Sequence, residues 1–80
     1  YYMKVIKENG ITSLDLHGVS HQEAKIEVID FAFRFQEELP LKVICGNSST
    51  MINLAKNALD ENNISYDSPR YGILRIQSFN

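Results

Sequence analysis

Ile11-Thr12-Ser13-Leu14-Asp15-Leu16-His17-Gly18 is the stretch on which the fold turns. Leu14 and Leu16 alternate with Ser13, Asp15 and His17. That is the period-two pattern of a strand with one apolar and one polar side. With the leucines in the core, Asp15 and His17 stand together on the opposite, open face. Two residues along a strand span ~6.5–7 Å, which suits a shared water, a phosphate oxygen or a metal ion between them better than a direct hydrogen bond. Gly18 then breaks the strand.

Upstream, residues 3–7 (MKVIK) and the run from Ile11 flank Asn9-Gly10, a hairpin signal. Residues 1–12 are therefore either an N-terminal arm or a short edge strand, and the domain proper runs over 13–80. Met3 reads as the native start, with Tyr1 and Tyr2 placed before it.

Downstream, Ser20 with Glu23 three residues on forms a capping box. It predicts a helix over 21–38, stopped by Pro40. Ala24, Val28, Phe31, Ala32 and Phe35 recur at helical spacing as a core stripe. Ile26, Ile29 and Phe33 fall on the other side of that helix. They are either scattered surface residues or a contact surface for a second copy or another protein. Leu41-Lys42-Val43-Ile44-Cys45 reads as an interior strand, and Gly46 to Thr50 as a turn into a helix over 50–61 capped by Ser48 or Ser49. Met51, Ile52, Ala55, Ala58 and Leu59 form its buried stripe. Ile64-Ser65-Tyr66 is a short strand, Asp67 to Arg70 a turn, and residues 72–77 a last strand with Leu74 and Ile76 inward.

The order β-α-β-α-β-β predicts an α/β two-layer sandwich. It has a four-stranded mixed sheet, two helices on one face and the other face open to water.

Bulk properties narrow the function. The chain has 80 residues, one cysteine and two histidines. An internal disulfide and a multi-cysteine zinc site are both excluded, and a reducing, cytoplasmic setting fits. No apolar run approaches the ~18 residues of a membrane span, and no signal peptide is visible. Net charge is −2, against the basic balance usual in nucleic-acid binders. The acid is concentrated, however. Residues 20–39 carry a net −3 and the remainder +1.

His17 lies at the C-terminal edge of its strand, where open α/β sheets bind ligands. The turn at Gly46, Asn47, Ser48 and Ser49 adds a helix N-terminus whose backbone N–H groups attract phosphate. Arg75 projects outward from the last strand. Other chemistries fail on spacing. A Cys-x5-Arg phosphatase loop needs Arg at position 51, where Met51 stands. No Walker lysine precedes Ser49-Thr50, and no Gly-x-Gly-x-x-Gly exists. Cys45 reads as a buried free thiol. Tyr66, Tyr71 and Phe79 are either packing residues or base-stacking platforms.

From about Leu14 to Phe79 the chain resembles the Smr (small MutS-related) domain. That family opens with Leu-Asp-Leu-His-Gly, matched letter for letter by Leu14-Asp15-Leu16-His17-Gly18. An acid-capped helix with an early alanine follows, as in Ser20 to Ala24, and the last strand begins with glycine, as at Gly72. The family's fold is similar to the C-terminal domain of bacterial translation initiation factor three. The resemblance implies nucleic-acid binding, with DNA nicking or RNA cleavage in some members. It implies Asp15 as a metal ligand or general base and His17 as a general acid/base or phosphate contact. A divalent metal ion is the one cofactor it suggests. The chain departs from the family in the second motif, His/Thr-Gly-x-Gly. Here this reads Cys45-Gly46-Asn47-Ser48, so the second glycine, with its access to positive φ, is a serine.

Two functions follow. The first is a nucleic-acid-binding domain with weak, metal-assisted endonuclease activity through Asp15 and His17. The second is a non-catalytic interaction or dimerisation module built on Ile26, Ile29 and Phe33.

Overall fold

Asn9 and Gly10 both take positive φ, 53° and 81°, as the two central residues of a type I′ turn do. They join β1 (Val5–Glu8) to β2 (Ile11–Asp15) in an antiparallel hairpin running from Val5 opposite Leu14 to Glu8 opposite Ile11. The computed structural model describes residues 5–80, so the reading of Met3 as the start lies outside the described residues. Within them the first segment is a strand of the sheet. The sheet therefore has five strands rather than four, in the order β1-β2-β3-β5-β4. The turn sets the register, and Val5 packs against the core and anchors the edge.

β3 (Leu41–Ile44) lies parallel to β2. β5 (Ile73–Phe79) runs antiparallel to β3 and to β4 (Ile64–Arg70). Leu14, Leu16, Leu41, Val43, Leu74 and Ile76 are at most 1% exposed. They form the sheet's half of the core. The helical half comes from α1 (His21–Arg34) and α2 (Ser49–Glu61), which pack side by side over that face. The expected stripes hold. Ala24, Val28, Phe31 and Ala32 of α1 are buried, Phe35 packs against them, and all five stripe residues of α2 are buried. The outcome is the α/β sandwich that the strand and helix periodicities require.

Three local expectations change. α1 stops at Arg34, and residues 36–38 form a separate 3-10 turn. There Glu38 accepts a 2.7 Å hydrogen bond from the buried Thr12 hydroxyl, so the segment serves the sheet rather than the helix. The capping box is not made. Ser20 offers no side-chain bond, and only its carbonyl accepts from the Glu23 N–H, at 3.1 Å. Lastly, Asp67 to Arg70 is not a turn but part of β4. It pairs with β5 across a register shift between Asp67 and Arg70, and the reversal falls at Tyr71-Gly72. Edge strands tolerate such a bulge and a proline like Pro69, because their outer backbone groups need no ladder partner.

Candidate functional site

Asp15 is the last residue of β2, and the chain turns at once. The Asp15 carboxylate causes the turn. Its Oδ1 accepts the His17 backbone N–H at 2.9 Å, closing an Asx-turn, and the Val19 N–H donates to the Leu16 carbonyl. The same Oδ1 lies 2.6 Å from His17 Nδ1. The two side chains are thus bonded directly. The expectation of a bridging water, phosphate or metal assumed strand geometry through residue 17, and that geometry ends at Asp15. With Nδ1 facing the carboxylate, the tautomer assigned by this bond places the proton of the pair between Nδ1 and Oδ1.

Nε2 faces the next loop. A Cβ on Gly46 would stand 2.9 Å from it, so the ring lies against the Gly46 backbone, where φ is +76°. Gly72 closes the cluster from the far side. Its carbonyl accepts the Cys45 N–H at 2.7 Å, and a Cβ there would meet the Gly46 carbonyl oxygen at 2.3 Å. Both glycines are held by close approach as well as by positive φ. Three chain reversals, after β2, after β3 and before β5, therefore meet at one edge.

Ser48 stands where the resembled motif has its second glycine. Its φ is −95°, a value open to any residue, so no glycine is needed there. Its Oγ caps α2 by accepting the Met51 N–H at 3.1 Å. The N–H groups of Ser48, Ser49 and Thr50 have no partner inside the helix, and Asn47 and Ser49 are exposed. This tip begins two residues beyond Gly46, whose backbone the His17 ring lies against.

The dyad is open to solvent, with the His17 side chain 66% and the Asp15 side chain 27% exposed. The adjacent Cys45 points the other way, into the core. Burial pushes its thiol up to about 11, partly offset by Lys56. It is a protonated packing group at neutral pH, not a nucleophile.

Among the described residues no group of three or more His, Cys, Asp or Glu side chains could hold a metal ion. Asp15 and His17 supply two donors, and the oxygen and nitrogen between them face each other. This donor set does not fit a protein-built metal centre.

Arg75 lies on the open face but away from the dyad. Its Nε and Nη2 donate to Asp67 at 3.1 and 2.7 Å, and its strand neighbour is Lys42. Of the aromatic candidates, Tyr66 packs against the core. Its hydroxyl is raised above its ordinary pKa by burial, then by its hydrogen bond to Asp60 and the charge there. Phe79 stacks on Phe33 at 5.4 Å. Tyr71 is 66% exposed at the turn beside Gly72. The set on α1 is divided. Ile26 is 66% exposed, Ile29 packs against the core, and Phe33, 42% exposed, is partly covered by Phe79. No described helix is long and apolar enough to cross a membrane.

Sequence reasoning missed Gly72 as a contact of the Gly46 loop, and Lys42 and Arg70 as open-face cations. The alternation of Lys42 with Leu41 and Val43 could have marked it as outward, whereas the contact of Gly72 and the place of Arg70 arise from strand order. Comparison with known proteins returns no match among family models, curated proteins or solved structures.

Proposed function

We propose that this domain is a nucleic-acid-binding module of the Smr type that works at the sheet edge formed by Asp15, His17 and the 46–50 turn. The carrying observation is the 2.6 Å Asp15–His17 bond with the opposite ring nitrogen laid against Gly46. A carboxylate that fixes one imidazole nitrogen and leaves the other facing a phosphate-attracting loop is an acid–base arrangement. A phosphate at the α2 tip accepts the spare N–H groups of Ser48, Ser49 and Thr50, and Tyr71 offers a flat surface for a neighbouring base.

RNA suits this chemistry best, because it carries its own nucleophile. Nε2 of neutral His17 takes the proton of a ribose 2′-hydroxyl as its oxygen attacks the adjacent phosphorus. The bond to the 5′-oxygen breaks and that oxygen takes a proton from water, leaving a 2′,3′-cyclic phosphate and a 5′-hydroxyl. Asp15 orients the ring and stabilises the imidazolium that forms. No step runs through a metal ion. A cytoplasmic setting suits the free thiol of Cys45.

A dimerisation or docking module on Ile26, Ile29 and Phe33 is the rival reading. It has less to stand on, since two of the three side chains pack within the domain.

The test is a panel of single-stranded RNA, structured RNA, and single-stranded, duplex and branched DNA, at stated salt and with chelator present. RNA cleavage is expected to survive the chelator. His17→Ala should slow it by roughly 10²–10⁴-fold while binding changes little. If the variant and the parent cleave alike, or neither binds any member of the panel, the reading is wrong.

A further inference from the structure

We propose that the open sheet face carries a second phosphate subsite, walled by Lys42, Arg70 and Arg75, for a single-stranded nucleic acid whose scissile group lies at His17. This rests on the nucleic-acid reading above and extends it along the chain of the ligand.

The bulge in β4 builds the site. Asp67 pairs with Arg75 and Arg70 with Ile73, so three steps on β4 face two on β5. The Ser68 hydroxyl lies 3.0 Å from the carbonyl oxygens of both Arg70 and Ile73 and pins the displaced segment. A bulge of this kind re-aims the side chains it carries. Here it brings Pro69 and Arg70 to the rim of a depression of about 310 Å³, completed by Ile11, Lys42, Ile73 and Arg75. That volume is at the small end for small-molecule sites.

The lining has the two surfaces a nucleotide needs. Ile11, Pro69 and Ile73 offer apolar area for a base or sugar face, and three cations surround them. Asp67 pairs with Arg75 and holds it in place, leaving Nη1 outside that pair. Among the described residues no carboxylate makes an ion pair with Lys42 or Arg70. The local excess is positive although the whole chain is at −2. By contrast, a depression of about 420 Å³ beside Phe33 and Phe35 is lined by Arg34, Glu37 and Glu38, and its charged lining is net negative.

Continuity with the dyad is a matter of register. Asp15, Ile44 and Ile73 form one row across the sheet, and Ser13, Lys42 and Arg75 the second row along. Both rows share the open face, so a ligand strand leaving His17 crosses the depression without rounding an edge.

The test compares the parent with Lys42→Ala/Arg70→Ala and with Arg70→Glu, using a short single-stranded RNA and an oligoglutamate peptide of equal length across several salt concentrations. The double substitution should weaken RNA binding roughly tenfold at low salt and lower the salt slope by about 1.4, near 0.7 per lost phosphate contact. His17→Ala, by contrast, should slow cleavage by roughly 10²–10⁴-fold and leave the slope unchanged. Backbone amide shifts on adding a nucleoside monophosphate should include Lys42, Arg70 and Ile73. An unchanged slope with RNA still bound overturns the subsite alone, as do shifts confined to residues 46–50. Tighter binding of oligoglutamate than of RNA makes the face a docking site for acidic peptides and overturns it too. A parent that binds no RNA overturns this inference together with the reading beneath it.

Discussion

β2 and β3 run out side by side at one edge of the sheet, each into a glycine turn and then a helix, yet the two ends have opposite chemistry. After each strand the alternation persists for one more residue, and Leu16, whose N–H still donates to the Ile44 carbonyl at 2.9 Å, is buried as Cys45 is. Cys45 therefore enters the core at 5% exposure and its thiol becomes inert. One position further along after β2, on the outward side of the alternation, His17 gives its N–H to the Asp15 carboxylate, pairs its ring with the same oxygen, and stays exposed. The place of the titratable residue in the alternation decides which is buried and which is exposed. The identity of the titratable residue alone does not.

The strongest way to break this contrast is at Gly72. A methyl group there meets the Gly46 carbonyl oxygen at 2.3 Å, at a φ of +86°. The obstacle is backbone, so both ends must move. Gly72→Ala should cost at least ~3 kcal/mol, read as a lower urea midpoint at unchanged slope.

Cys45 comes next. The folded protein holds the thiol proton to about 11, while the ordinary value is 9.0. The folded state therefore binds the proton more tightly, and its advantage is complete below pH 9 and lost as pH rises through that interval. The loss should approach ~2–3 kcal/mol. Cys45→Ala should flatten the slope of stability against pH there, whatever it costs at pH 7. An aromatic disulfide reagent should label the folded protein slowly at pH 8 and the urea-unfolded chain at once.

Gly46→Ala sharpens the contrast from the other side. The atoms nearest its Cβ belong to the His17 ring, an exposed side chain that can yield. The expected cost is the positive-φ penalty of about 1–2 kcal/mol. The His17 ring resonances should shift, and cleavage should fall to the His17→Ala level in a protein that stays folded.

The smallest effects separate the two helix starts. Ser48→Ala removes a side-chain cap and should cost about 1 kcal/mol. Ser20→Ala removes none, and its thermal midpoint should stay within the change expected for about 0.5 kcal/mol.

What was legible in the sequence is what depends on near neighbours. The periods of two and 3.6 placed Leu14, Leu16, Leu74, Ile76 and both helix stripes in one core, because burial of apolar surface acts on every such residue alike. Asn9-Gly10 announced its hairpin, since few dipeptides accept two positive φ values in a row. Leu-Asp-Leu-His-Gly marked Asp15 and His17 as a pair. Its geometry was not legible, because Asp15 ends its own strand by a bond that strict alternation forbids. Asp67-Ser68-Pro69-Arg70 misled for a related reason. Its residues are those of a turn, and only pairing with β5 turns them into a bulged edge strand. Strand order, finally, is long-range. The meeting of His17, Gly46 and Gly72, and of Lys42 with Arg70 and Arg75, depends on β5 lying between β3 and β4. No spacing along the chain encodes that adjacency, which arises only when the whole sheet buries one face beneath its two helices.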